Sequence, residues 1–389
     1  MDIQITPRKL SGSVTPPPSK SMMHRAVLAQ ALSEHPGTIS NADDSQDIQA
    51  TQRCVAALKA AAPGDLPLLD CGESGSTLRF LIPVALAMCG GARFTGRGRL
   101  MERPQTPYFD MFREKGIAFQ LADNMLTVQG QLSPGTYALP GNVSSQFVTG
   151  LLYALPLLDG DSQILITSPL ESRGYVDMTL DTLAQFGIRA ENDHYDRFRI
   201  PGGQRYRGCD VRIEGDWSQA GFWYAASALG SKPEIGGLNA FSRQGDMVVV
   251  SHYLHLTQPG DLEIDVSGCP DLLPPLAVMA AVRSGSTRFT GAARLRLKES
   301  DRLSTTAAML RALGGAAEEF SDELLVCGQS SLSGGTVDGA NDHRIVMSAA
   351  IAATAATAPV TILGAEAVNK SYPTFWKVYE ALGGEFHVL

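Results

Sequence analysis

The sequence predicts an α/β protein in two halves, each made of three copies of one strand-and-helix unit. Three observations carry this reading. First, "GGARFTGRGRLMERPQTPYFDMFREKGI" (90–117) and "SGSTRFTGAARLRLKESDRLSTTAAMLRALGG" (284–315) share an order: small-residue turn, apolar strand, charged loop, helix-like segment, glycine. The same order recurs at 160–188 and 358–384, and more loosely at 35–59 and 231–256. Second, each copy follows an alanine- and leucine-rich run, the pattern of a helix buried nearly all round. Third, the polarity of those runs is concentrated at their starts.

In chain order the six buried helices begin at "PSKSMMHRAVLAQALS", "ESGSTLRFLIPVALAM", "NVSSQFVTGLLYALPLL", "DWSQAGFWYAASAL", "CPDLLPPLAVMAAV" and "NDHRIVMSAAIAATAA". Ser, Asp and Asn at such starts cap the first turn by accepting from its N–H groups. A helix start also offers N–H donors and roughly half a positive charge, worth ~0.3–1 kcal/mol to an anion. Three such ends in each half, if the halves face each other, would converge on one anion-binding cleft.

The cations fit that expectation. Lys20, Arg25, Arg79, Arg99, Arg103, Lys298, Arg302, Arg344 and Lys370 recur at helix starts or in the loops after the short strands. Arginine forks suit carboxylate and phosphate oxygens, and lysine supplies a compact charge. Asp271, in "CPDLLPP", and Glu299, in "RLKESDRL", stand among these cations. Carboxylates in such company can do acid–base work. The alternatives are an N-cap for Asp271 and an ion pair with Lys298 or Arg302 for Glu299.

Composition narrows the class. A net charge of −8 gives no support to nucleic-acid binding. The six cysteines form no CxxC and no Cys/His cluster, so reduced structural thiols are expected. No run approaches the ~20 apolar residues of a membrane span. "MDIQITPRKLSGSV" lacks the apolar core of a signal peptide, so a soluble cytoplasmic protein is expected. Phosphate-loop, dinucleotide, HExxH and GxSxG motifs are absent, and no metal or cofactor is expected.

Nine segments together resemble the 5-enolpyruvylshikimate-3-phosphate synthase family of enolpyruvyl transferases. They are "PPPSKSMMHRA", "ESGSTLRF", "RLMERP", "NVSSQF", "RGYVDMT", "EGDWSQA", "RLKESDRL", "NDHRIVM" and "NKSYP", in family order from residue 16 to residue 373. The resemblance implies a two-domain inside-out α/β barrel, each domain three repeats around buried parallel helices, with ligands in the interdomain cleft. It places one domain at 19–213 and the other at 1–18 plus 214–389. It also implies a monomer that transfers the enolpyruvyl group of phosphoenolpyruvate to the 5-hydroxyl of 3-phosphoshikimate and releases phosphate. That reaction belongs to the shikimate pathway of aromatic amino-acid biosynthesis.

The resemblance further implies residue roles. Ser144, Ser145, Ser172 and Lys298 would hold the shikimate phosphate, Ser21 and Arg25 its carboxylate, with Gln146 and Tyr175 along the ring. Lys20, Gly75, Arg103 and Gln146 would surround the phosphate of phosphoenolpyruvate, and Arg302, Arg344 and Lys370 its carboxylate. Asp271 would be the base on the 5-hydroxyl and Glu299 the acid at C3, with Lys20 an alternative proton carrier. Lys20 and Asp271 would also touch 3-phosphoshikimate. This chain departs from the family pattern at Glu73-Ser74-Gly75-Ser76, where Asn-Ala-Gly-Thr is commoner. It also carries Phe80 where proline is usual and Arg294 where some members have asparagine. An ionised Glu73 facing phosphate would oppose it, so it is expected to turn toward Arg103, Lys20 or Arg25, or to titrate upward. The sister transferase acting on a UDP-amino sugar calls for a reactive cysteine in the loop "TGRGRLMERPQTP", which has none.

Overall fold

One strand pattern is used four times. Leu68–Asp70 pairs in parallel with Gly91–Thr95, which pairs antiparallel with Met125–Gln129, itself antiparallel to the edge strand Ala118–Ala122. The order repeats with Gly135–Leu139, Ser162–Ile166, Arg197–Ile200 and Glu191–Asp193. It repeats again with Leu262–Asp265, Ser286–Thr290, Leu324–Cys327 and Ala316–Glu319. Two short parallel pairs, Ile39–Ser40 with Val211–Arg212 and Ser11–Val14 with Lys232–Ile235, are the reduced copies.

The fourth full copy is closed by the start of the chain. Gly335–Asp338 runs parallel to Val360–Leu363, and Ile3–Thr6 then fills the antiparallel place that a hairpin strand takes elsewhere, with Glu385–Val388 at the edge. Ile3 and Ile5 point inward and are fully buried, while Thr6 is exposed, the alternation expected of a half-buried strand. Burying each isoleucine contributes about 1.5–3 kcal/mol.

The computed structural model describes residues 1–62 and 64–389. Its contacts divide the chain into Met1–Pro18 with Glu214–Leu389, and Ser19–Ile213. Each unit has its own apolar core and three of the six sheets. In the Ser19–Ile213 unit the inner helices are Lys20–Leu32, Gly75–Cys89 and Ser145–Ala154. In the other they are Trp217–Ala228, Leu273–Ala281 and His343–Ala352. All of Leu273–Ala281 and His343–Ala352 is buried, as is Gly75–Cys89 apart from Ser76, Ala87 and Met88. The partly exposed helices Gln46–Ala60 and Arg302–Ala312 follow the strands Ile39–Ser40 and Ser286–Thr290.

Pro83 inside Gly75–Cys89 shows how tightly the inner helices are fitted. Proline has no N–H for the Arg79 carbonyl four residues earlier. The Tyr108 hydroxyl takes that place, 2.9 Å from the Arg79 carbonyl and 3.0 Å from that of Phe147. A side chain at Gly150 would sit 2.3 Å from the Tyr108 hydroxyl and 2.5 Å from the Arg79 carbonyl, so only glycine permits this approach.

Candidate active site

Capping accounts for most of the polar helix starts. Ser74 accepts from Thr77 N, Ser144 from Gln146 N, Asp216 from Ser218 N and Gln219 N, and Asp342 from Arg344 N. Ser19 does the same for Met22 N. Asp271 is different: it lies inside a 3₁₀ turn, Pro270–Leu272, that leads into Leu273–Ala281, and Cys269 takes the capping position without a side-chain bond. Asp271 is therefore not spent on an N-cap.

In the Ser19–Ile213 unit, three inner helix starts carry the expected residues. Lys20 Nζ donates to Asp47 Oδ2 at 2.6 Å, both side chains being largely buried. Arg25 is 2% exposed, and donates to Thr179 Oγ1 at 2.9 Å and to the carbonyls of Ser21 and Tyr175 at 2.7 and 2.8 Å. Burial pushes its guanidinium down to about 10, with Tyr153 and Tyr175 opposing. Its charge also lies 5.3 Å over the Phe80 ring, so the phenylalanine where proline is usual serves as a face for Arg25.

The next start is built around Gly75. A Cβ there would lie 2.6 Å from Arg103 Nη1 and 2.9 Å from its Cζ, so the missing side chain is what lets the guanidinium lie against the first turn. Gln146 links this start to the next: its Oε1 accepts from Arg79 at 2.8 Å and its Nε2 donates to Ser76 Oγ at 3.0 Å. Glu73 is half-buried in the same loop. Ser145 is buried behind its cap residue Ser144. Ser172 is held at φ 53°, a left-handed conformation uncommon outside glycine, just ahead of the helix Arg173–Gln185 that carries Tyr175.

In the other unit, one charged cluster gathers five of the expected residues. Asp271 Oδ1 accepts from Lys298 Nζ at 3.2 Å and Arg302 Nη1 at 2.9 Å. Its Oδ2 accepts from Arg344 Nη2 at 3.0 Å, and Arg344 Nη1 reaches the Asp271 carbonyl at 3.1 Å. Arg302 also donates to Glu299 Oε2. Burial alone would lower the pKa of Arg302, but Asp342, Glu299 and Asp271 together hold it above its ordinary value. Burial pushes the Lys298 ammonium down to about 8, with Asp271 pulling it back up. Lys370 Nζ lies 2.5 Å from the Asn341 carbonyl, ahead of the helix start that supplies Arg344.

Sequence reasoning missed Asp342 as a site component. It is fully buried, accepts from Arg302 Nε at 2.9 Å and Nη2 at 3.2 Å, and takes the Ser300 hydroxyl at 2.9 Å. Its signal was present in the charged start "NDHR", where the aspartate read as a cap alone. Asp47, the partner of Lys20, was missed because nothing local marks it. Arg294 is buried and donates to the Ser267 carbonyl. No cluster of potential metal ligands occurs among the described residues.

Repeated four-stranded sheets packed on largely buried helices, with cations gathered at helix starts, define the inside-out α/β class. The family model described as EPSP synthase (3-phosphoshikimate 1-carboxyvinyltransferase) matches residues 5–379. The chain is 43% identical to the 3-phosphoshikimate 1-carboxyvinyltransferase of Clostridium novyi (strain NT) over 98% of each chain. It is 42% identical to that of Clostridium acetobutylicum over 99% of this chain and 98% of the other. The solved structure of EPSP synthase from Acinetobacter baumannii superposes with a TM-score of 0.80 at 23% identity, covering both chains entirely. The chain belongs to the EPSP synthase family.

Proposed function

We propose that this chain catalyses transfer of the enolpyruvyl group of phosphoenolpyruvate to the 5-hydroxyl of 3-phosphoshikimate, giving 5-enolpyruvylshikimate 3-phosphate and phosphate. The observation that carries the reading is Asp271, whose carboxylate accepts from Lys298, Arg302 and Arg344 at once. Three cations on one carboxylate occupy both of its oxygens. Arriving anions would compete for those cations: the shikimate phosphate for Lys298, the phosphoenolpyruvate carboxylate for Arg302 and Arg344. That competition would free the Asp271 carboxylate to meet the substrate hydroxyl as it arrives.

In this reading Asp271 takes the 5-hydroxyl proton as the oxygen attacks C2 of phosphoenolpyruvate. Glu299 delivers a proton to C3. The tetrahedral adduct then loses phosphate, which leaves with the proton that Asp271 took from the hydroxyl, and Glu299 takes a proton back from C3, restoring the double bond and both carboxyl groups to their starting states. Arg302 joins Glu299, Asp271 and Asp342, so the two carboxylates assigned to proton transfer share one buried guanidinium. Lys20, Gly75, Arg103 and Gln146 would receive the phosphoenolpyruvate phosphate; Ser144, Ser145 and Ser172 would join Lys298 on the shikimate phosphate. Ser21, Arg25 and Tyr175 would meet the shikimate carboxylate and ring. The same reading has the enzyme act as a cytoplasmic monomer; no described helix is long and apolar enough to cross a membrane.

Phosphate release from phosphoenolpyruvate, followed without added metal, tests the proposal. Release is expected with 3-phosphoshikimate and not with UDP-N-acetylglucosamine. Release with only the nucleotide sugar, or with neither acceptor, would overturn it.

A further inference from the structure

A chain of four buried polar side chains runs behind the helix start at Gly75. His24, Thr51, Thr77 and Ser74 are each no more than 2% exposed and come from three helices and one cap position. His24 Nδ1 lies 2.7 Å from Thr51 Oγ1, Thr51 Oγ1 lies 2.6 Å from Thr77 Oγ1, and Thr77 Oγ1 lies 2.7 Å from Ser74 Oγ. Thr77 N also donates to Ser74 Oγ, at 3.2 Å. The four residues run beside the Lys20–Asp47 pair, since Lys20 and His24, and likewise Asp47 and Thr51, are one helical turn apart.

The protons along this chain can be ordered. Burial, with Lys20 and Arg25 nearby, holds the His24 pKa well below its ordinary value, so the ring is neutral and carries one N–H. Its Nε2 is buried without a hydrogen-bond partner. An orphaned buried N–H is rarer and costlier than an unused lone pair, so the proton belongs on Nδ1. Nδ1–H then donates to Thr51. Thr51 has one hydroxyl proton and two possible acceptors, Thr77 Oγ1 at 2.6 Å and the Asp47 carbonyl at 3.2 Å. The shorter contact takes it. Thr77 in turn donates to Ser74, whose oxygen then accepts from both Thr77 groups. Ser74 keeps its own proton to donate elsewhere, and it directly precedes Gly75, against which the Arg103 guanidinium lies.

We infer that the His24–Thr51–Thr77 chain is a positioning relay that fixes the Ser74 hydroxyl as an outward hydrogen-bond donor to an anionic oxygen at the Gly75 helix start. Resting on the proposed function, this oxygen belongs to the phosphate of phosphoenolpyruvate. Ser74 thereby joins Gly75 and Arg103 as a binding group, while His24, Thr51 and Thr77 act only through it. Capping alone would leave the direction of the Ser74 proton undetermined; the one-way order behind it is what a cap does not need.

Two measurements on the intact enzyme test this. Long-range proton–nitrogen correlation spectra of the unliganded protein report the His24 tautomer, and Nδ1–H with a bare Nε2 is expected. An Nε2–H tautomer would overturn the inference whatever the enzyme's activity. Ser74→Gly keeps a tolerable cap but removes the hydroxyl. It is expected to weaken inhibition by inorganic phosphate and raise KM for phosphoenolpyruvate about tenfold, with kcat and KM for 3-phosphoshikimate little changed. Thr77→Val should shift the same two constants in the same direction, and Thr77→Ser should restore them. Unchanged phosphate inhibition in a folded Ser74→Gly protein would overturn the relay. Absence of turnover in the unmutated enzyme would instead strike at the proposed function and leave the tautomer result standing.

Discussion

Lys298 should give the enzyme an alkaline limit near pH 8. Its side chain is 23% exposed, 3.2 Å from Asp271 Oδ1, and burial brings its ammonium down to about 8. If the ammonium binds the shikimate phosphate, the protonated form is the active one. Binding is therefore lost as pH rises through the folded pKa. With a pKa of about 8, roughly one enzyme in eleven keeps the charge at pH 9, so kcat/KM for 3-phosphoshikimate should fall about tenfold from its plateau. The slope should continue toward pH 10. Saturating dianion would hold the ammonium protonated, so kcat itself should fall later. Lys298→Arg should remove the limb near 8 even if its plateau is lower. Arg25, pushed down only to about 10, does not account for a limb two units below. Phosphate release measured from pH 7 to 10 in both proteins decides the matter. A limb that survives unchanged in Lys298→Arg, or a flat wild-type profile to pH 10, would refute the reasoning. Stability should move the other way. A lysine whose folded pKa lies below its ordinary 10.5 penalises the fold below pH 8 and relieves it between about 8 and 10.5.

Asp271→Asn and Glu299→Gln should each lower kcat by at least ~10²-fold, the low end of acid–base contributions; near-normal turnover in steady-state assays would remove that residue from its role. Gly75→Ala would place a Cβ 2.6 Å from Arg103 Nη1 and displace the guanidinium. Because the clash is with a flexible side-chain end, the fold should survive while KM for phosphoenolpyruvate rises about tenfold, readable in initial rates. Asp342→Asn keeps a capping group but removes the charge beneath Arg302. Denaturant titration should show a loss of ~1.5–3 kcal/mol, below the 3–5 of a fully broken buried pair because Asp271 and Glu299 remain.

The repeats were legible because each copy buries most of one helix, and a run such as "HRIVMSAAIA" shows that in its composition. The cations were legible because "RLKESDRL" concentrates charge in a loop that otherwise has no need of it. Partners far apart in sequence were not. Lys20 meets Asp47 and Arg302 meets Asp342 through packing that no local pattern encodes. For Asp271 an N-cap stood open as the alternative to acid–base work, because Cys-Pro-Asp resembles a helix start; the proline begins a 3₁₀ turn and leaves the carboxylate to the cations. The strand Ile3–Thr6 reads as a short alternating segment, but nothing in it names its partners Val360–Ile362 and Glu385–Val388.

That strand also sets an order of assembly. Ser19–Ile213 contains all the strands of its own three sheets and can fold once its last residues are made. Residues 3–6, synthesised long before, have no sheet to join until residues 360–388 exist, more than three hundred residues later. Until then Ile3 and Ile5 have no sheet to bury them. The final unit therefore closes by capture of a waiting segment, a non-local step of the kind that slows folding and exposes a chain to mispairing.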